Sequence, residues 1–312
     1  MTLRPRLRAL VVPPRVLCAA LLLVAAGGCR FWYKPVPVAN AIGEEKTVLA
    51  GDSVNVHREE RFEVYGRNAE TVYDGYEQLN RAYRTFERYF GAPAPRLAVI
   101  LSDDSVPHID TGTARAFQNR GLTVIRYTRP RSYRNPTRYG ALGYGGVLWP
   151  IAPTAARKML ALYAESHLEQ DGHLSDAAVL ERFPLWFRAA IIHLVGEAVS
   201  STTDMEKVRE RRSALVPLRE MLTLVRPAAA DTLLDPSRRA EADDFTLLFA
   251  AQATTLARYL AETEGPASLG RLARGYLSTR SLSEMLSEFR NAPRDVPQLE
   301  RRWKAWLDTR ED

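Results

Sequence analysis

The sequence predicts an α+β protein, and two observations carry that expectation. Candidate strands and one long amphipathic helix fill the first half of the chain. From Thr154 onward every segment has helical spacing, with Gly and Pro as punctuation.

The elements follow in order. From Thr47 to Gly66 short apolar stretches alternate with polar residues. Arg61-Phe62-Glu63-Val64-Tyr65 alternates cleanly, which predicts a strand. Asn68 is placed to cap a helix running through Phe90, because Tyr73, Tyr76, Tyr83, Phe86 and Phe90 recur at helical spacings. Gly91 and Pro93 end that helix. Residues 96–101 are β-branched and apolar, as in a buried strand. Residues 102–121 read as a loop with room for one short helix, 122–127 as a strand and 141–150 as a further strand. Helices are expected over 154–171, 177–200, 204–225, 241–263, 266–276, 281–290 and 295–308. There is no internal repeat and no low-complexity tract.

The first 28 residues have the pattern of a targeting segment. Arg4, Arg6, Arg8 and Arg15 precede any acidic residue, and Pro13 and Pro14 break a helix there. The apolar run 16–26 falls short of the roughly 20 residues that a bilayer-spanning helix requires, and suits the core of a signal peptide. The run ends Ala26-Gly27-Gly28-Cys29, which resembles a bacterial lipobox. That resemblance implies a mature chain beginning at an acylated Cys29, anchored in membrane lipid and facing the periplasm or the cell surface. Arg30 in the next position favours the outer membrane in a Gram-negative cell. The only other cysteine is Cys18, so the mature chain has no pair for a disulfide. Residues 1–28 hold four Arg and no acid; without them the formal charge drops from +6 to +2. A nearly neutral chain without a compact basic block disfavours nucleic acid as a partner. The expected layout is a signal peptide over 1–28, a tether over 29–45 and one domain over 46–312. That domain has a sheet lobe, 46–152, and a helical lobe, 153–312.

Two segments carry a family likeness. One reads Met159-Leu160-Ala161-Leu162-Tyr163-Ala164-Glu165-Ser166-His167-Leu168; the other reads Phe183-Pro184-Leu185-Trp186-Phe187-Arg188-Ala189-Ala190-Ile191-Ile192. Together they resemble the core of the gluzincin metallopeptidases, in particular the peptidase MA-like proteins, over about residues 60–310. Those proteins carry H-E-x-x-H on one helix and a segment like L-P-x-W-L-x-E-G-x-A on the next. The resemblance implies a zincin-like fold: a small mixed sheet with a long helix, then an all-helical lobe. It also implies a cleft beside Trp186 and His193, flanked by a sheet-edge strand over 141–150 where a peptide or envelope protein binds by strand addition; Trp186 itself is expected to pack between the lobes rather than to bind substrate. The chemistry does not follow. Tyr163 stands at the first His position, Ala164 at the general base and Ala189 at the second-helix Glu; only His167 is kept.

Counting sharpens this. The five histidines are His57, His108, His167, His173 and His193, and no two are four residues apart, so no H-x-x-x-H exists to converge on one ion. Glu165 lies about 160° around a helix from His167 and cannot replace the base. A shifted set, His167 and Asp171 on one helix with His193 and Glu197 on the other, is the one arrangement left for a non-standard hydrolytic metal site. Otherwise the former site is expected to be core, with no metal and no cofactor, because a buried carboxylate without its metal costs several kcal/mol. No nucleophile elbow or phosphate loop occurs, and Gly143-Tyr144-Gly145-Gly146 leads into no Lys-Ser/Thr pair. Arg129, Arg131, Arg134 and Arg138, interleaved with Tyr133 and Tyr139, form a basic stretch suited to a solvated loop or an anionic partner. The sequence therefore points to an envelope lipoprotein whose peptidase-like domain is a pseudoenzyme that works by binding or as structure.

Overall fold

A computed structural model describes residues 45–102, 109–128, 151–168, 174–196, 201–224, 244–291 and 293–310, all within the unit Ile42–Asp312. The lipobox and Cys29, the stretch 129–150 with its arginines and expected edge strand, and Asp171 and Glu197 lie outside them.

The α+β class holds: one mixed sheet is followed by helices. The sheet runs β1 (Glu45–Leu49), β2 (Asp52–Arg58), β3 (Phe62–Gly66), β4 (Leu97–Ser102), β5 (Thr123–Thr128), with neighbours in chain order. The first three strands pair antiparallel and the last three parallel. Ala50 and Gly51 join β1 to β2 with φ of 51° and 90°. Positive φ at both residues is what a two-residue hairpin matching strand twist requires.

Each parallel connection carries a helix. Helix α1 (Ala69–Phe90) links β3 to β4, and α2 (Thr111–Asn119) links β4 to β5. Asn68 Oδ1 accepts the Thr71 N–H at 2.8 Å, Gly91 closes α1 at φ 63°, and Asp110 caps α2 from its side chain. The two helices cover opposite faces of the sheet. Phe62, Val64, Leu97, Val99 and Leu101 join the main core with α1; Tyr65, Ala98 and Ile100 join a smaller one with Phe117 of α2.

The strand expected over 61–65 is β3, Phe62–Gly66. All five residues of β3 are buried, because both faces are covered. The polar member, Glu63, is accommodated by specific partners: its carboxylate accepts the Tyr65 O–H and the Arg120 guanidinium, each at 2.5 Å. Burial and the neighbouring Glu63 push the Tyr65 hydroxyl above its ordinary range, so it stays a donor.

Among the described residues the remaining helices are α3 (Ile151–Glu165), α4 (Asp176–Leu180), α5 (Leu185–Gly196), α6 (Ser201–Glu210), α7 (Leu218–Thr223), α8 (Asp244–Glu264), α9 (Ser268–Leu277), α10 (Leu282–Ser287) and α11 (Val296–Thr309). Two long helices expected from spacing are broken. The 177–200 segment divides at Pro184, which has no N–H and disfavours helical backbone at Phe183. The 204–225 segment divides at a 3₁₀ turn, Arg212–Ala214, and at Pro217. Two buried glutamines replace missing backbone partners. Gln78 Oε1 accepts the Ile151 N–H at 3.1 Å and fixes the start of α3 on α1. Gln252 on α8 brackets Val216, accepting its N–H at 3.1 Å and donating to its carbonyl at 2.6 Å.

Helix α5 is the centre of the helical part. It packs on α3, α8 and α1, and all 12 of its residues are buried. A side chain at Gly196 would sit 2.6 Å from Pro153 Cα, so the end of α5 touches the first turn of α3 only because that residue is Gly.

Two measurements test these constraints by denaturant unfolding. Gly196→Ala forces backbone apart and is expected to destabilise by about 1–3 kcal/mol; an unchanged midpoint would mean the two helices do not rest on each other there. Ala50→Asn suits the left-handed backbone better and is expected to add a few tenths of a kcal/mol. A loss of stability would contradict the hairpin geometry.

Candidate functional site

The helix pair singled out in the sequence is α3 and α5, and they pack directly against each other. Tyr163 is 3% exposed, and Ala164 and Ala189 are fully buried. The Tyr163 ring meets Phe90 edge-on at 4.9 Å and Phe86 at 6.0 Å, while its hydroxyl accepts from Arg274 Nη1 at 3.1 Å. An aromatic ring therefore fills position 163, with one polar contact at its tip. At 164 and 189, where the resemblance expects carboxylates, methyl groups lie within continuous core.

His167 is not on the helix. Helix α3 ends at Glu165, short of the expected residue 171, and the physical cause lies in the next two side chains. Ser166 Oγ donates to the Tyr163 carbonyl at 2.8 Å, and His167 Nδ1 lies 2.8 Å from the same oxygen. A carbonyl only accepts, so Nδ1 carries a proton. The backbone tightens with them: the His167 N–H donates to Ala164 O at 3.0 Å, a 3₁₀ contact. The imidazole leans on the Tyr163 ring with centroids 4.3 Å apart and is exposed. His167 thus closes a helix terminus. Helical phase is lost after Glu165, so His167 does not sit one helical turn beyond Tyr163 as the shifted metal set assumed.

His193 is 3% exposed within α5, and Trp186 is fully buried. The Trp186 ring meets Phe187 edge-on at 5.6 Å and Tyr276 of α9 at 6.5 Å. The cleft expected beside Trp186 and His193 is packed core at these residues, which argues against strand addition at this point. Among the described residues no group of three His, Cys, Asp or Glu converges as a metal site would require.

One opening was missed by the sequence reading. A pocket of about 700 Å³ lies at the N-terminal end of α5, bounded by the turn 181–184, the end of α7 and the end of α9. Arg188, 2% exposed, reaches it from α5, and its Nη1 donates to Leu180 O at 3.4 Å. The signal for it was present: Arg188 is the one Lys or Arg in a helix that is otherwise apolar apart from His193. On the rim, Thr279 has φ 57°. It occupies the left-handed position that closes α9, where Gly is usual, while the Arg280 N–H returns to Gly275 O at 3.0 Å.

The geometry defines a mixed α+β domain organised around the wholly buried helix α5 and its partner α3. Comparison with protein-family models, with curated proteins and with solved structures returns no match.

Restoring a metal-binding carboxylate tests the core reading. Ala189→Glu is expected to cost about 3–5 kcal/mol in denaturant unfolding, as an unpaired buried charge does. A loss under about 1 kcal/mol would show room and polar support for a ligand at that position.

Proposed function

We propose that this chain is an exported lipoprotein, anchored through acylated Cys29, whose α+β domain follows the plan of the gluzincin peptidases but works by binding rather than hydrolysis. The observation that carries this reading is the state of Tyr163, Ala164 and Ala189. These are the positions where the resemblance requires ligands and a base, and each is built into solid core. A zincin needs an open coordination position and a carboxylate that activates water; aromatic and methyl groups supply neither. His167, the one retained residue, is engaged in ending α3.

The physical logic of the replacement is consistent. Once the ion is gone, its carboxylates become buried charges without a counterion, and alanine removes that penalty. Tyrosine in place of histidine keeps volume and one hydrogen bond. The function left to such a domain is recognition, with the lipid holding it at the membrane surface.

Elemental analysis of the full chain, purified without chelator, tests the zinc-free part. Zinc is expected well below one equivalent and unchanged in His167→Ala. One equivalent that disappears in His167→Ala or His193→Ala would overturn the reading. The anchor is tested by labelled palmitate, which is expected on the wild type and absent from Cys29→Ala.

A further inference from the structure

The turn between α10 and α11 gathers positive charge around a second hollow. Its volume is about 600 Å³, and it is lined by Arg290, Asn291, Arg294, Asp295, Gln298 and Arg302. Every lining side chain is polar, and three arginines face a single carboxylate. All three arginines are exposed. Among the described residues no hydrogen bond or ion pair engages the guanidinium groups of Arg290 and Arg294, and Arg302 gives one N–H to the Asn291 carbonyl at 3.2 Å. Arg58, Arg120 and Arg212 are also exposed, yet each of those pairs with a carboxylate. The acids close to the hollow are already committed. Asp295 Oδ1 accepts the Gln298 N–H at 2.7 Å as the cap of α11. Glu264, outside the lining, accepts the Arg290 and Asn291 N–H groups at 2.9 and 2.6 Å. With Asn291 Nδ2 on the Thr263 carbonyl at 3.0 Å, these bonds tie the turn to the end of α8. The backbone that carries Arg290 is thus fixed before any ligand arrives, which lowers the ordering cost of binding. The head of α11 adds little of its own, since Asp295 takes one N–H and Pro297 has none.

We propose that this hollow binds a phosphate monoester group through Arg290, Arg294 and Arg302. Three guanidinium groups against Asp295 leave a surplus of two positive charges in the lining. That surplus matches the charge of about −1.5 to −2 on a phosphate monoester at neutral pH. Guanidinium donors fit phosphate oxygens in pairs, and guanidinium stays charged in any surroundings. A tetrahedral phosphate presents oxygens to three arginines at once, whereas a planar carboxylate has two oxygens and one charge. Gln298 adds a carboxamide to the same lining. The hollow is larger than a phosphate ion and falls within the range of small-ligand sites, so it has room for the organic part of the ester. Such a group comes from a soluble ester or from a lipid headgroup. The inference rests on the reading, given above, that the domain works by binding, and it supplies a ligand class for that reading.

The test titrates the full chain, in neutral detergent micelles, with glycerol 3-phosphate at constant ionic strength, read by isothermal calorimetry. One saturable site is expected, weakened about tenfold in Arg290→Gln and in Arg294→Gln. Both side chains are exposed, so the melting curves should not move. Arg301→Gln removes an equal charge beside Arg302 but outside the hollow, and should change affinity less than twofold. No saturable binding to the wild type, an equal loss in Arg301→Gln, or acetate competing as well as inorganic phosphate overturns the proposal. The source of the group is read by adding phosphatidic acid to the micelles. Displacement at a lower concentration than free glycerol 3-phosphate requires supports the site as one for a lipid headgroup; weaker displacement supports it as one for a soluble ester. Failure of the proposal leaves the zinc measurement untouched. Stoichiometric zinc, conversely, would overturn the zinc-free reading while leaving the arginine dependence intact.

Discussion

Helix α5 has no face toward water, and that constraint shapes what surrounds it. A helix buried all round must find neighbours on every side, and α1, α3, α7 and α8 supply them. Its residues are correspondingly apolar, with Arg188 and His193 the exceptions. Its end must be small enough to meet α3, which is why Gly196 lies against Pro153. Its start follows the turn 181–184, where Pro184 breaks the helix. The pocket lies where that turn and the ends of α7 and α9 meet the first turn of α5.

Around that apolar centre a few buried polar groups define the register of the parts. Gln78 fixes where α3 begins on α1, and Gln252 brackets Val216 ahead of α7. Glu63 ties β3 to the end of α2 through Arg120 and orients Tyr65. Apolar contacts are non-directional and tolerate sliding, whereas each of these groups would lose its partner on a shift of one residue. The sheet and the helices are positioned by such pairs as much as by the volume of the core.

The same reasoning covers the positions that the family likeness marks as chemical. In continuous core, a charge without an ion is costly and a methyl group is not. Tyr163, Ala164 and Ala189 fit the interior that surrounds them, and the only polar demand among them, the Tyr163 hydroxyl, is met by Arg274. The two helices pack on each other at those positions, while Arg188 lies at the head of α5.

The sequence by itself determined the elements that local chemistry controls. Asn68 and Gly91 bound α1 because a side-chain cap and a left-handed closing residue are properties of single positions. The α+β order, and the absence of a histidine pair at helical spacing, were likewise legible without contacts. Tertiary structure decided the rest. Residues 61–65 alternate as a strand does, but the burial of β3 on both faces depends on α2, which covers the side that bears Tyr65. His167 has the spacing of a ligand, yet its ring and Ser166 capture the Tyr163 carbonyl and end the helix first. The pocket is assembled from three separate chain segments, so no local pattern contains it; only Arg188, a lone charge in an apolar helix, marked the place. Periodicity records which face of an element avoids water, but what covers that face is set by chain segments far away in sequence.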